Sequence, residues 1–139
     1  MSVSGNPVRT IVGGAAAAAL AAVVLACGGG SSTSPSSNIT CSSLPNATTI
    51  LILNNAVCPT SLTVTRGTRV TFINNDTRQH EMDSDPHPEH TDCPEINQVG
   101  LLVPGQQRDT GNLNTARRCG YHDHMNPETR SMQGSITIQ

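Results

Sequence analysis

The segment from Cys119 to Gln139 carries an unusual concentration of side chains that bind metal ions. It contains one thiol, two imidazoles and two thioethers, and it ends in the alternating sequence SITI, which is typical of a β-strand. A single cysteine beside neutral imidazoles and a weak thioether is the ligand set of copper electron-transfer sites. Zinc prefers four strong ligands, and calcium or magnesium prefer oxygen. The segment therefore predicts a copper site.

Cys119 and His122 stand three residues apart, so that one tight turn would aim both side chains at the same ion. Met125 follows His122 by three residues, and Met132 opens the sequence MQGSITI. A single copper ion needs only one axial thioether. The two methionines therefore compete for the same position.

This pattern resembles the cupredoxins, the family of plastocyanin and azurin. Their pattern is a histidine at the end of a strand, then Cys-x2-His and a methionine, followed by G-x-[IV]-x-[IV] on the closing strand. Here FINNDTRQH ends in His80, and Cys119, His122 and Met132 precede the strand that begins at Gly134. The resemblance covers roughly residues 48–139. The loop from His122 to Met132 is longer than is usual in the family and contains the additional His124.

The resemblance implies a trigonal copper site formed by His80, Cys119 and His122, with Met132 as the axial ligand. Met132 is preferred to Met125 because its register matches the closing strand of the family. Four further side chains are weaker candidates for metal ligands: His124, Met125, His90 and His87. The implied function is electron transfer by a type 1-like mononuclear copper site, and the implied partner is a redox protein.

The stretch HEMDSDPHPEHTDCPE, residues 80–95, adds His87 and His90 among carboxylates and prolines. The prolines restrict the segment and reduce the entropy lost when it orders. Either histidine could add an imidazole to the predicted site, or both could form a second copper or zinc site with His124. The alternative is a solvated loop whose side chains are merely polar.

Cysteine parity leaves two alternatives open. With Cys27 set aside, four cysteines remain, which is an even number for a chain expected to be exported to an oxidising compartment. We expect Cys41 and Cys58 to form a disulfide. Cys93 and Cys119 either stay apart, which leaves a thiolate for copper, or form a second disulfide, which turns the site into an all-imidazole one. The second alternative predicts a copper-handling protein that buffers or delivers the metal.

The N-terminus predicts export and a lipid anchor. Residues 1–26 have a short basic start and an apolar stretch too short to be a comfortable membrane span, as in a signal peptide. The sequence VLAC, ending at Cys27, resembles a bacterial lipobox, in which the cysteine carries the lipid. Residues 27–40 are rich in glycine and serine and predict a flexible linker. We therefore expect a domain at residues 41–139 tethered to the periplasmic face of a bacterial membrane.

Composition and patterning predict an all-β domain. There is no Trp and only one Tyr and one Phe, so the core must be built from aliphatic side chains. Alternating runs with turn signals between them predict a single β-sandwich of about seven strands, and the resemblance to the cupredoxins implies a Greek-key topology. The formal net charge of −2 and the absence of a basic patch give no support to nucleic-acid binding.

Three classes of function remain after these observations. The first is a membrane-tethered electron carrier, the second is a copper-handling protein, and the third is a disulfide-stabilised sandwich with no metal. We expect a monomer. We also expect no enzymatic activity, because His122-Asp123-His124 is a single H-x-H pair, whereas multicopper oxidases need several such pairs in more than one domain. No Ser-His-Asp order or glycine-rich phosphate loop is present in the sequence.

Overall fold

The computed structural model describes Met1 and residues 39–139. Apart from Met1, the predicted signal peptide lies outside the described residues, as do Cys27 and nearly all of the predicted linker. No helix in the described part of the chain is long and apolar enough to cross a membrane.

Nine strands and two 3₁₀ turns make up the described domain, which confirms the all-β prediction. The 3₁₀ turns are Ile96–Gln98 and Arg130–Met132. The strands are β1 (Thr49–Ile52), β2 (Val57–Cys58), β3 (Ser61–Val64), β4 (Thr71–Asn74), β5 (His80–Ser84), β6 (Gly100–Leu102), β7 (Gln107–Asp109), β8 (Arg117–Asp123) and β9 (Gly134–Ile138).

The strands form two mixed sheets, one of four strands in the order β2-β1-β4-β7 and one of five in the order β3-β9-β8-β5-β6. Strands β1 and β4 pair in parallel, as do β3 and β9, and the other pairs are antiparallel. The count exceeds the predicted seven because β2 has only two residues, and β5 and β8 carry charged and histidine side chains that hide their alternation.

Aliphatic side chains fill the core, as the composition predicts. Ile50, Ile52 and Ile136 are buried there, and the two aromatic residues, Phe72 and Tyr121, meet edge to face with ring centroids 5.2 Å apart. Edge-to-face contact is a favoured arrangement of aromatic rings because the positive edge of one meets the negative face of the other.

The side chains of strand β8 alternate between the inner and outer faces of the five-stranded sheet. Cys119 and Tyr121 are fully buried members of the core. Successive residues of a strand point to opposite faces, so Gly120 and His122 lie on the outer face of the five-stranded sheet. On that face β8 pairs with β5, with Asp83 opposite His122.

Both cysteine pairs of the domain are disulfides. Cys41 is bonded to Cys58 with the Cα atoms 5.7 Å apart, and Cys93 is bonded to Cys119 with the Cα atoms 5.8 Å apart. The first disulfide is the one expected from the sequence. The second corresponds to the alternative in which Cys119 is no longer available as a thiolate.

Candidate metal centre

Four histidines converge on the outer face of the five-stranded sheet. One nitrogen from each of His87, His90, His122 and His124 lies within 4.8 Å of the corresponding nitrogen of every other. Nitrogens on opposite sides of one ion lie at most about 4 Å apart when the metal–nitrogen bonds are about 2.0 Å. Small side-chain movements would therefore bring all four nitrogens onto one ion.

Two separate chain segments supply these ligand candidates. His122 is in β8 and His124 follows two residues later, with its backbone N–H donating to the carbonyl of Glu81 on the neighbouring strand. Residues two apart on an extended chain share a face, so both imidazoles lie on the outer face. The other pair, His87 and His90, comes from the segment that follows β5 and covers this face.

The geometry of His122 is that of a ligand already oriented by a carboxylate. The ring donates its Nδ1 hydrogen to Asp85 Oδ1 over 2.7 Å. This leaves the Nε2 atom with a free lone pair, and within the described residues that buried atom has no hydrogen-bond partner. Burying an unpartnered polar atom is costly. A metal ion bound at Nε2 would satisfy it, and ligating histidines generally donate their other nitrogen to such a carboxylate.

A second carboxylate serves the other side of the cluster. Asp83 Oδ2 lies 3.8 Å from Nδ1 of His90 and 3.8 Å from Nδ1 of His124. Nδ1 of His124 also lies 3.2 Å from Nε2 of His90. Asp83 is buried, so its charge acts on both rings with little screening by solvent.

Electrostatics keep His90 in the neutral form that binds metals. Burial lowers the pKa of His90; the nearby Asp83 carboxylate opposes this, and the imidazoles of His122, His124 and His87 lower it further. His90 also has a backbone φ of 52°, in the left-handed region that non-glycine residues seldom adopt. Such conformations are concentrated at functional sites, where the surrounding structure maintains them.

The cluster is open to solvent on one side. His122 is 2% exposed, whereas the side chain of His124 is 39% exposed and His87 lies in an exposed segment. An ion could therefore reach His87 and His124 from solution before it meets the buried His122. A centre built in this way can exchange its ion.

The structure does not bring His80 to this cluster. His80 is 1% exposed, with Nδ1 2.9 Å from Asp123 Oδ2 and Nε2 3.4 Å from Asp76 Oδ2. Both ring nitrogens thus face carboxylates. Cys119 lies four residues before Asp123 along β8, about 13 Å at the usual rise of a strand. The spacing from His80 to Cys119 is too long for a shared ion.

The other members of the predicted trigonal set are also separated. Cys119 and His122 lie on one continuous strand rather than on a tight turn, so their side chains point to opposite faces. Cys119 is bonded to Cys93. Met132 is fully buried in the core, and Met125 is 45% exposed with its sulfur 4.0 Å from Gln79 Nε2.

One signal for the observed cluster was present in the sequence. The H-x-H pair at His122 and His124 places two imidazoles on one face if the segment is a strand. The expectation of one tight turn from Cys119 to His122 obscured this signal. The convergence of His87 and His90 on that pair depends on how β5 and β8 are paired, and one sequence does not specify that pairing.

Solved structures with similar folds identify the architecture. A purple cupredoxin from Nitrosopumilus maritimus has a TM-score of 0.51 at 19% identity, and the match covers 66% of this chain and 98% of that one. Plastocyanin from Dryopteris crassirhizoma has a TM-score of 0.51 at 18% identity, covering 66% and 99%. Amicyanin from Paracoccus versutus has a TM-score of 0.53 at 15% identity, covering 73% and 90%.

The fold is that of the cupredoxins. No protein-family model and no curated protein matches the chain. The expected resemblance is thus confirmed for the fold. In this chain the cupredoxin fold carries its histidine cluster on the outer face of one sheet, while the cysteine of β8 is held in a core disulfide.

Proposed function

We propose that this chain is a copper-handling protein that holds one ion on His87, His90, His122 and His124. The observation that carries the proposal is the convergence of four imidazole nitrogens within 4.8 Å, with the buried Nε2 of His122 lacking any other partner in the described residues. When bound, copper would supply a redox-active ion held by nitrogen ligands alone. Among divalent first-row metals, nitrogen sites generally bind Cu²⁺ most strongly.

The surrounding residues would orient the imidazoles and leave a route to solvent. Asp85 would hold His122 in the tautomer that offers Nε2, and Asp83 would act on His90 and His124. The exposed His87 and the half-exposed His124 would release or accept the ion first. Buffering and delivery both require such exchange with a donor or acceptor protein.

Electron transfer is the second candidate, and the shared fold with plastocyanin and amicyanin favours it. A type 1-like centre on His80, Cys119, His122 and Met132 would require a thiolate. The Cys93–Cys119 disulfide weighs against that requirement. Soft thiolate and thioether ligands select the reduced ion, whereas a set of imidazoles also suits the oxidised one. We therefore favour handling of copper over rapid cycling between its valences.

We also propose that the chain is exported and tethered to the periplasmic face of a bacterial membrane through a lipid on Cys27, and that it works as a monomer without enzymatic activity. The VLAC sequence and the Gly/Ser tract support export and the tether. Stable attachment needs more than one acyl chain. Cys27→Ser should move the protein from the membrane fraction to the soluble fraction. If wild type and variant fractionate identically, the tether is refuted.

One titration and one spectrum test the metal assignment. Copper added to the purified domain should bind at one ion per chain and give only a weak visible band, with nitrogen hyperfine coupling in the electron paramagnetic resonance spectrum. His90→Ala should remove this signal, and Met132→Leu should leave it intact. An intense charge-transfer band that disappears with Cys119→Ser would refute the four-imidazole site and support the electron carrier.

A further inference from the structure

We infer that the Cys93–Cys119 disulfide is the positioning element that assembles the four-histidine site from its two chain segments. This inference rests on the proposed function. It concerns the core disulfide rather than the ligands themselves. It assigns to the disulfide a specific effect on metal affinity, beyond any contribution to stability.

The disulfide joins the two segments close to their ligands. Cys93 lies three residues after His90, and Cys119 lies three residues before His122. Thirty-two residues separate His90 from His122 along the chain. Through the disulfide the path is only three residues on either side of the bond. The link therefore limits how far the histidines of one segment can move from those of the other.

The two ends of this link are fixed in the core while the ligands stay on the outer face. Cys93 and Cys119 are both fully buried members of the core, together with Ile96 of the adjacent 3₁₀ turn. The segment after β5 therefore carries His87 and His90 over the outer face and then passes into the core at Cys93. Core packing around the sulfurs sets where that segment ends.

The other connections of this segment to β8 are weaker. Arg117 Nη2 forms an ion pair with Glu95 Oε2 at 2.8 Å, but both side chains are partly exposed, and exposed ion pairs contribute little. Asp85 contacts β8 at the start of the segment through its backbone N–H to Gly120 and its carboxylate to His122. The backbone hydrogen bonds of His90 go to Pro86 and Asn97, which are not in β8. Its ring contacts the partly exposed His124, which follows β8, with Nε2 3.2 Å from Nδ1 of His124.

Affinity should depend on this link because binding four ligands at one ion requires all of them to be held together. A cross-link removes much of the conformational freedom that the segment would otherwise lose on binding, which is the gain from preorganisation. Disturbing residues that only orient metal ligands typically costs about 10- to 100-fold in affinity. We expect a loss in that range when the disulfide is removed.

The test compares the two disulfides of the same domain. The C93A/C119A variant removes the core link, and the C41A/C58A variant removes a disulfide that joins the segment before β1 to β2. Copper affinity is measured by competition with a chromophoric chelator, and the copper paramagnetic spectrum is recorded for each variant. The first variant should bind copper about 10- to 100-fold more weakly, with altered nitrogen coupling, and the second should match wild type.

Two results would overturn the inference, and a third would refute the proposed function on which it rests. Wild-type affinity in C93A/C119A, or equal losses in both variants, would overturn the positioning role. Failure of wild type itself to bind copper through nitrogen would instead refute the proposed function. If C93A/C119A does not fold, C93A/C119V breaks the same link while restoring part of the lost core volume, and wild-type affinity there would overturn the inference.

Discussion

The two faces of the five-stranded sheet hold histidines in opposite situations. On the inner face, His80 is buried between Asp76 and Asp123, with both ring nitrogens engaged. On the outer face, His122 has one nitrogen on Asp85 and the other without a partner in the described residues. Burial alone therefore does not distinguish a structural histidine from a metal ligand. What distinguishes them is whether the second ring nitrogen has a hydrogen-bond partner.

The contrast follows from the alternation of β8. Cys119, Tyr121 and Asp123 point inward, and His122 points outward. A ligand set that mixes Cys119 with His122 would need side chains from both faces. A set that pairs His122 with His124 needs only one face. Substitutions on the inner face should therefore change stability, and substitutions on the outer face should change metal affinity.

The largest expected effect is on stability, from His80→Ala. Removing one member of a buried charged or hydrogen-bonded group typically costs about 3–5 kcal/mol, because its partners are left buried and unpaired. Here Asp76 and Asp123 would lose their shared partner. Urea unfolding should show the loss, and copper affinity of the folded fraction should be unchanged.

His124→Ala is the matched control, because its side chain is 39% exposed. It should cost little stability and should weaken copper binding. If His80→Ala abolished copper binding while His124→Ala left it intact, the assignment of the two faces would be reversed.

The next effect is on affinity, from His122→Ala. The variant removes the one buried ligand and should weaken copper binding by more than the roughly 10- to 100-fold that follows loss of an orienting residue. Chelator competition measures the change. Met132→Leu, a core substitution of similar volume on the other face, should retain wild-type affinity. Equal losses in both variants would contradict a site confined to the outer face.

A smaller effect is expected at Gly120, the residue beneath Asp85. A Cβ atom at position 120 would overlap the Asp85 carboxylate, which can move away only by giving up its hydrogen bond to His122. Gly120→Ala should therefore weaken copper binding about tenfold, at the lower end of the range for orienting residues.

Gly111→Ala is the control for Gly120→Ala, because a Cβ atom there would meet the side chain of Gln98 instead. It should leave affinity unchanged. Asp85→Asn should reproduce the Gly120→Ala result, since both changes weaken the same contact to His122. Wild-type affinity in Gly120→Ala would show that Asp85 does not orient the ligand.

The sequence predicted the apolar strands better than the polar ones. The runs now seen as β1, β3, β4 and β9 alternate or are continuously apolar, and hydrophobic periodicity finds such strands. β5 and β8 carry the polar residues His80, Ser84 and Asp123 at inward-facing positions as well as polar residues on their outer faces, which conceals the period of two. Of the four histidines only His122 lies on one of these strands, and the other three lie in the segments that follow β5 and β8. Hydrophobic periodicity therefore could not locate the site.

The ligand types were predictable, but their grouping was not. The number of cysteines allowed the Cys93–Cys119 disulfide as one of two alternatives, and His87, His90 and His124 were already candidates. Whether Cys119 and His122 share an ion depends on whether residues 119–122 form a turn or a strand. That choice is made by pairing of β8 with β5 and β9, which is a long-range property.

The smallest expected effect is a pH-dependent change in stability from Asp76, which contacts His80 on the inner face. Burial raises the pKa of Asp76, but the backbone N–H groups of Asn55 and Thr77 together with His80 lower it more, so that the net pKa lies below its usual 3.8. A folded-state pKa below the unfolded value contributes stability above the unfolded pKa, and that contribution is lost as pH falls through the folded value.

Because Asp76 is only partly buried, Asp76→Asn should reduce the free energy of unfolding at pH 7 by about 0.5–1.5 kcal/mol, the usual net contribution of a hydrogen bond. The deficit should shrink at acidic pH below 3.8, where wild type also loses the charge. Urea unfolding of wild type and variant at pH 7 and at a pH below 3.8 measures this deficit. Asp109→Asn, on an exposed strand residue, controls for the change in net charge. A deficit of the same size at both pH values would show that the Asp76 amide disrupts packing rather than charge pairing, and the contrast between the two faces would then rest on His80 alone.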